Sequence, residues 1–441
     1  MTSMRPLRLS INSPSGLWSR SLLAAALVFV SACATSAPRP PAPISSGGPR
    51  VDPVVEPVEN AEGGIEEEQL TEEEIEQALA EGVTPPHMVG RDIVRAAVLL
   101  PFSHPNRNVR AEAEGLLAGI EMGLFDHGDQ NFLIVPKDTA GTQGVAEERA
   151  MEALDDGADI ILGPLFAANV ETVARVAEAE AIPVLAFSND RRVAGGNAWL
   201  ASVSPEEEVA RIMEFARLRG IESFAFLGPD NGYGRRVEAA MRVSAAGLGA
   251  QVIASGFYDP SNDAPTDEAS AVANTVKAEA ARIPERVAVL IPERGVKLRA
   301  VAPLLPYFGV DTRYVTMLGT SRWNDASVWR EPTLIGGYFP AAPPEDVAKY
   351  DRDFERIYGK SPTALSSLGY DAASLAAALA DEDGYSPDEF NNPDGFRGVN
   401  GLFRFKQDGT AQRSLSVMQV TGGEGAIEVE PGREDFVEDV F

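Results

Sequence analysis

Residues 159–187 read DIILGPLFAANVETVARVAEAEAIPVLAF, and this stretch decides the fold. Asp159–Leu162 and Pro183–Phe187 are short apolar runs, which are typical of strands covered on both faces of a sheet. Asn169–Glu180, between them, has the apolar spacing of a helix. This order of strand, helix and strand predicts two parallel strands joined by a right-handed crossover.

The same alternation continues on both sides of this stretch. Ala96–Leu100 and Phe132–Val135 are predicted strands upstream of it. The alternation restarts after Ser204-Pro205-Glu206-Glu207, which has the residues of a capping box with proline in the first turn. Further strands are predicted at Ser223–Leu227, Gln251–Phe257, Val287–Ile291 and Tyr314–Leu318. We therefore predict an α/β fold with two doubly wound parallel-sheet lobes around a cleft.

The N-terminus has the layout of a bacterial secretory signal. Basic residues precede the apolar run 22–30, which is too short to span a bilayer. Cys33, the only cysteine, follows Val30-Ser31-Ala32. This pattern resembles the lipobox of bacterial lipoproteins, in which signal peptidase II cuts before a cysteine that receives a diacylglycerol. We predict a signal peptide over 1–32 and lipidation of Cys33; the alternative is an ordinary signal peptide with an incidental cysteine.

The segment 33–92 is predicted to be a disordered linker. It begins rich in proline and becomes acidic, with Glu66-Glu67-Glu68 and Glu72-Glu73-Glu74 and no lysine or arginine between Val51 and Gly90. Such a segment lacks the apolar surface to form a core, and as a flexible coil it would reach about 45 Å. A passive spacer is the first interpretation, and an acidic docking tail is the alternative. The two-lobed domain is assigned to 93–441.

The composition excludes several classes of function. The formal net charge of −28 argues against binding to nucleic acid or to anionic lipid, so contact with a membrane is expected only through the lipid anchor. The three histidines, His87, His104 and His127, have no metal-like spacing. No nucleophile elbow, phosphate-binding loop or complete dinucleotide fingerprint is present. We predict no catalytic residues, no metal, no cofactor and no enzymatic activity.

The order of elements, with the chain crossing between lobes more than once, resembles the type I periplasmic binding proteins. The phrase Phe403-Arg404-Phe405-Lys406-Gln407-Asp408-Gly409 is similar to the closing hairpin of that family. Within it, Gly163-Pro164-Leu165, Asn169-Val170-Glu171 and Val184-Leu185-Ala186 resemble the lipoprotein activators of penicillin-binding proteins. Those activators carry a helical-repeat domain before this module, where the present chain has its linker.

Candidate ligand-binding residues follow from the rule that ligands of doubly wound sheets lie beyond the carboxyl ends of the strands. The loops at those ends hold Phe102, Ser103, Leu165, Ala167, Ser188, Asn189, Asn231, Tyr233, Glu293 and Thr320. Each of these residues has an alternative role in capping or packing. Amino-acid receptors of this fold generally place a hydroxyl in the loop where this chain has Ala167 and Ala168, which weakens the prediction of an amino-acid ligand.

Three functions are consistent with these features. The first is a non-catalytic lipoprotein that regulates peptidoglycan synthesis by contacting a penicillin-binding protein. The alternative is a solute receptor for an ABC importer, with an amino acid or a related small molecule in the cleft. The third is a structural lipoprotein with a vestigial cleft. Ala34 follows the cysteine, where aspartate would favour inner-membrane retention, so the resemblance implies an outer-membrane anchor that faces the periplasm.

Overall fold

The computed structural model describes residues 7–8, 85, 88, 92–127, 131–380, 385–423 and 425–436. The predicted signal peptide, Cys33 and nearly all of the predicted linker lie outside these residues, so those assignments stay predictions. The strands are β1 (Leu7–Arg8), β2 (Val94–Leu100), β3 (Phe132–Asp138), β4 (Ile160–Leu162), β5 (Val184–Ala186), β6 (Ala198–Leu200), β7 (Ser223–Pro229), β8 (Gln251–Tyr258), β9 (Val287–Leu290), β10 (Val315–Leu318), β11 (Tyr338–Ala341), β12 (Phe396–Gly398), β13 (Gly401–Phe405), β14 (Ala411–Arg413), β15 (Ser416–Gly422) and β16 (Gly425–Glu430).

Helices separate most of these strands. The α-helices are α1 (Arg107–His127), α2 (Gln143–Asp155), α3 (Ala167–Ala177), α4 (Pro205–Leu218), α5 (Gly232–Gly247), α6 (Thr266–Arg282), α7 (Gly295–Val301), α8 (Leu304–Tyr307), α9 (Pro344–Tyr358), α10 (Ser366–Leu379) and α11 (Pro387–Phe390). Short 3-10 turns lie at Glu178–Glu180, Arg191–Val193, Ser321–Trp323 and Pro332–Leu334.

The first lobe is built on a five-stranded sheet in the order β3-β2-β4-β5-β6, with every neighbouring pair parallel. Its central strands are buried along their length, as their continuous apolar sequences predict. One face packs against α2 and α3, and the other packs against α1 and α10. The position of α10 shows that the chain returns to this lobe late in its sequence.

The second lobe is built on a seven-stranded sheet in the order β16-β15-β11-β10-β9-β7-β8. The five neighbouring strands β8, β7, β9, β10 and β11 pair in parallel. β15 and β16 add an antiparallel edge beside β11. The two doubly wound lobes confirm the predicted fold class. The helix α4 begins as predicted: the Ser204 hydroxyl accepts from the Glu207 amide and the Glu207 carboxylate accepts from the Ser204 amide.

A small sheet in the order β1-β12-β13-β14 extends the core of the first lobe. Within it, β13 and β14 form a hairpin around Asp408-Gly409. The run 415–420, which we predicted to be the second strand of this hairpin, instead forms β15 and pairs with β11 in the second lobe. Phe396, Phe403 and Phe405 from this sheet are buried in the first-lobe core. The small sheet therefore belongs to the first lobe, although it is encoded after the second.

The chain passes between the lobes three times. The crossings are residues 201–204, between β6 and α4; residues 342–343, between β11 and α9; and residues 414–415, between β14 and β15. Because both sheets direct the carboxyl ends of their parallel strands toward these crossings, the loops of the two lobes meet there. This arrangement forms a cleft between the lobes.

Candidate functional site

A cavity of about 720 Å³ lies between the lobes. Both lobes line it, and each of the three crossings contributes at least one residue, including Val203, Ala342 and Leu415. Its volume lies in the range of small-molecule pockets, which is about 300–1,000 Å³. Much of its wall is apolar, and a small number of polar and charged side chains converge on it. This combination is typical of a site that encloses a small ligand.

The first-lobe wall includes the loops that follow β4 and β5, and residues of α9, of the start of α10 and of the turn between β12 and β13 complete it. Leu165, Phe166 and Ala167 lie between β4 and α3, and Ala167 begins the helix with its free backbone N–H groups. Ser188 follows β5 and is buried, and its hydroxyl oxygen accepts from the amide of Asp190 at 3.2 Å. The first-lobe wall therefore offers backbone donors and one buried hydroxyl beside apolar surface.

Asp190 lies in the same loop and is already paired. Its two carboxylate oxygens accept from Nε and Nη2 of Arg192 at 3.0 and 2.6 Å. These hydrogen bonds lower the pKa of Asp190 to about 2. The carboxylate is therefore ionised and compensated at neutral pH.

The second-lobe wall is organised around Tyr233, in the first turn of α5. Its hydroxyl lies 2.9 Å from the Thr320 hydroxyl oxygen, and the Arg322 guanidinium carbon lies 3.5 Å from its ring centroid. Burial raises the pKa of Tyr233 to about 12, so the phenol stays neutral. Tyr233 thus holds two parts of the loop after β10 in fixed positions.

Glu208 is a buried carboxylate on the same side of the cavity. It lies in the first turn of α4 and is 7% exposed. Burial raises its pKa to about 7, while hydrogen bonding from Ser321 and the charge of Arg322 act in the opposite direction. Near neutral pH this wall therefore holds a carboxyl group that is close to its own pKa, so its protonated and ionised forms are both populated.

Arg236 joins the two lobes at the edge of the cavity. Its Nη2 atom donates to the Glu206 carboxylate at 2.8 Å, within the second lobe. The same atom donates to the backbone carbonyl of Asn189, in the first lobe, at 2.7 Å. The structure therefore contains a direct polar contact across the cleft.

The structure brings five of the ten predicted ligand residues to the cavity wall: Leu165, Ala167, Ser188, Asn189 and Tyr233. Thr320 does not line the cavity, but its hydroxyl is hydrogen-bonded to the hydroxyl of Tyr233, which does. The parallel-strand rule therefore led to the edge of each sheet where the cavity lies, and contact with a ligand stays a prediction for every residue.

The other four predicted residues lie away from the cavity. Phe102 packs against the first-lobe core, and the backbone N–H of Ser103 donates to Asp138 at 3.1 Å. Asn231 caps α5 by accepting from the amide of Gly234 at 2.9 Å. Glu293 accepts from the Tyr258 hydroxyl at 2.8 Å. Local capping and hydrogen bonding in their own lobes thus engage three of these four.

Sequence reasoning did not select Glu208 or Arg236, and it offered the loop 320–323, which contains Arg322, only as a whole. Glu208 and Arg236 lie inside helices and not in the loops at strand ends. Arg236 follows Tyr233 by three positions, so both lie on one face of α5, and this spacing was the available signal. Arg322 lies in the loop after β10, two residues beyond the chosen Thr320.

The described ranges contain no group of three or more His, Cys, Asp or Glu side chains placed to hold a metal ion. Among those same residues, no helix combines the length and apolarity needed to cross a membrane.

Comparisons with known proteins agree with the architecture. A family model described as periplasmic binding protein matches residues 94–425. No curated protein matches the chain in a sequence comparison. Among solved structures, a protein from Rhodospirillum rubrum described as a branched-chain amino acid ABC transporter superposes with a TM-score of 0.66 at 18% identity, covering 76% of this chain and 100% of that one.

Two liganded structures have the same fold. An ABC transporter substrate-binding protein from Desulfitobacterium hafniense in complex with Leu matches with a TM-score of 0.56 at 16% identity, covering 76% of this chain and 99% of that one. A solute-binding protein from R. palustris in complex with benzoate matches with a TM-score of 0.54 at 13% identity, covering 77% and 97%. At these identities the likeness establishes the fold alone.

These findings correct the first functional interpretation. The prediction that the chain regulates peptidoglycan synthesis through a penicillin-binding protein was wrong. The family model that matches is that of the periplasmic binding proteins, and the similar solved structures include substrate-binding proteins of ABC transporters. The phrases that suggested the activators lie in elements of the shared fold: Gly163-Pro164-Leu165 follows β4, Asn169-Val170-Glu171 lies in α3, and Val184-Leu185-Ala186 forms β5. The match over residues 94–425 and the two lobes around a cleft show that the chain belongs to the periplasmic binding protein family.

Proposed function

We propose that this chain is the periplasmic solute-binding component of an ABC importer, and that it binds one small molecule between its lobes without changing it chemically. The observation that carries the proposal is the cavity of about 720 Å³, which both lobes and all three crossings line. The ligands of neighbouring proteins, Leu and benzoate, support a small organic molecule. The resemblance to penicillin-binding-protein activators supports no separate function here.

The geometry of the lobes explains how binding would be signalled to a permease. Residues 201–204, 342–343 and 414–415 are the covalent connections between the lobes, so changes of backbone angle there would open or close the cleft. A ligand that contacts both walls stabilises the closed arrangement, because only that arrangement satisfies both sets of contacts. The contact between Arg236 and Asn189 already favours closure.

We also propose that Cys33 carries the lipid anchor and that the anchored protein faces the periplasm from the outer membrane. The basis is the sequence pattern before Cys33 and the residue Ala34 after it. Membrane fractionation of cells that express the full chain tests both parts. Cys33→Ser should release the protein from membranes, and Ala34→Asp should move it to the inner-membrane fraction. Wild-type protein found in the soluble or inner-membrane fraction would contradict the proposal.

The binding proposal is tested with the full chain purified from envelopes. Native mass spectrometry identifies any molecule that copurifies, and thermal unfolding then measures stabilisation by that molecule and by a panel of amino acids and organic acids. A ligand at a hundred times its Kd should stabilise the folded state by about 2.7 kcal/mol, which corresponds to a rise in Tm of about 4 °C for a folded domain of this size.

The control for this experiment is a variant with a filled cavity. Ala167→Trp places a large side chain on the first-lobe wall and should abolish stabilisation, whereas Glu178→Gln changes an exposed residue outside the cavity and should keep it. Recovery of an unaltered ligand supports binding without catalysis. The absence of any copurifying molecule and of any stabilising compound would refute the proposed function and favour a vestigial cleft.

A further inference from the structure

Four charged side chains line the cavity: Asp190, Glu208, Arg236 and Arg322. Asp190 is held by Arg192, and Arg236 is held by Glu206 and by the Asn189 carbonyl. Glu208 is buried and receives hydrogen bonds from Ser321. Arg322 is half-buried and forms no hydrogen bond or ion pair with any other described residue, so its N–H groups are left to solvent or to a ligand.

The position of Arg322 is nevertheless well defined. Its guanidinium stacks on the Tyr233 ring at 3.5 Å, and that ring is fixed by the bond from its hydroxyl to Thr320. Stacking uses the flat face of a guanidinium and leaves its N–H groups free at the edge. Those five donors match the geometry of a carboxylate, which accepts two parallel hydrogen bonds. Arg322 therefore presents an ordered site for an anion inside the cleft.

The cavity has no equivalent site for a cation. An ammonium group is best held by a carboxylate whose charge is uncompensated, and the charge of Asp190 is already compensated by its two hydrogen bonds from Arg192. Glu208 forms no salt bridge with Arg322, although the Arg322 charge acts to lower its pKa, and it is 7% exposed. A ligand ammonium at Glu208 would be placed close to the unpaired Arg322 charge, which opposes it. The polar part of the cavity thus favours a negative ligand without a positive group.

The remaining wall favours an apolar body on that ligand. Leu165, Phe166 and Phe187 line the first-lobe side, and Leu415 lines one crossing. Burial of an apolar group against this surface is favourable in proportion to the apolar area removed from water. The Tyr233 face is covered by Arg322 and is not available for a ligand ring. Charge recognition and apolar contact therefore lie on different lobes.

We propose that the ligand of this cleft is an organic monocarboxylate with an apolar body and no ammonium group, and that Arg322 is the residue that binds its carboxylate. This inference rests on the proposed function, because it assigns a ligand class to the same cavity. Closing the cleft brings the apolar wall of the first lobe against the body of a molecule whose carboxylate is held by the second lobe. Specificity against amino acids follows from the absence of a free partner for their ammonium group.

Isothermal titration calorimetry on the detergent-purified full chain tests the inference with three probes of one carbon skeleton. These are 4-methylpentanoate, which is the anion alone; leucine, which adds an ammonium group; and 4-methylpentanamide, which removes the charge. The expected result is that 4-methylpentanoate binds at least about tenfold more tightly than either of the others, since a charge-assisted pair is lost or opposed in each.

Two variants of Arg322 separate its role from that of the fold. Arg322→Met keeps the length of the side chain and should weaken 4-methylpentanoate binding by roughly tenfold to a hundredfold. Arg322→Lys keeps the charge but loses the paired geometry, so its affinity should fall between those of Arg322→Met and the wild type. Arg330→Met is the matched control, because Arg330 is exposed and lies outside the cavity, and it should bind like the wild type.

The outcomes distinguish this inference from the proposed function. Equal affinity of the wild type and Arg322→Met for 4-methylpentanoate, or tighter binding of leucine, would overturn the inference while a solute-binding function stands. If none of the three probes binds at millimolar concentration, the chemical class of the molecule that copurifies with the protein tests the inference instead. An organic anion without an ammonium group supports the inference, and any other molecule overturns it. If nothing binds and nothing copurifies, the proposed function fails as well.

Discussion

Replacing Glu208 by glutamine should stabilise the protein at alkaline pH and leave it nearly unchanged at acid pH. Burial raises the pKa of Glu208 to about 7 from its ordinary value of 4.5. Below pH 4.5 the carboxyl is protonated in both the folded and the unfolded chain. As pH rises from 4.5 through 7, the unfolded chain loses this proton first, so stability falls across that window. The difference corresponds to about 3 kcal/mol at roughly 1.4 kcal/mol per pH unit.

Glutamine has the shape of the protonated carboxyl and carries no charge at any pH. Glu208→Gln should therefore be more stable than the wild type by up to about 3 kcal/mol at pH 8, and within about 0.5 kcal/mol of it at pH 4.5. Because burial also raises the pKa of Glu207 to about 7, both proteins retain a pH dependence, and the difference between them isolates Glu208.

Urea-induced unfolding followed by tryptophan fluorescence at pH 4.5, 6 and 8 measures this difference. The control is Glu178→Gln, which changes an exposed carboxylate and should alter stability little at any pH. A Glu208→Gln variant that is less stable than the wild type at pH 8 would refute the reasoning. It would mean that Ser321 and Arg322 stabilise the ionised carboxylate by more than burial costs.

Two further predictions concern packing and the contact between the lobes. Gly369→Ala should destabilise the first lobe by at least about 1–3 kcal/mol, because its Cβ would lie 2.3 Å from the backbone oxygen of Leu116 on α1. Gly144→Ala, in open space on α2, should not destabilise the protein, and equal loss of stability in both variants would contradict the argument. Arg236→Met should open the cleft and raise the radius of gyration in small-angle scattering, since it removes the bond to the Asn189 carbonyl. Arg242→Met, which breaks contacts confined to the second lobe, should leave that radius unchanged, and an unchanged radius in Arg236→Met would exclude a role in closure.

Much of the fold was readable from the sequence because parallel strands buried on both faces have a strong pattern. The runs at Ala96–Leu100 and Val287–Ile291 are almost wholly apolar, and the capping box at Ser204 marks the start of α4. Strands β6 and β12 are three residues long and were not predicted, because such short segments contain too few residues to show a period. β11 was missed as well, and Pro340 lies within it.

The candidate site was predictable only in part. The rule on strand ends led to Ser188 and Tyr233, which line the cavity. It also selected Asn231 and Glu293, whose side chains are used within their own lobe. The rule specifies an edge of each sheet but not which side chains on that edge point across the cleft. The resemblance of short sequence phrases to the penicillin-binding-protein activators was a less reliable guide still, because it led to the wrong prediction that the chain regulates peptidoglycan synthesis.

The sequence by itself determined the two-lobed architecture, because strand and helix periodicity depends on neighbours a few residues apart. It also carried the predictions about secretion and the anchor at Cys33, which depend on a local pattern. Only the tertiary structure decided the chemistry of the cleft. Arg322 lies 89 positions after the ring of Tyr233 on which it stacks, and Arg236 lies 47 positions after Asn189. Such partners are brought together by the packing of whole lobes, and no local pattern encodes which charge remains unpaired.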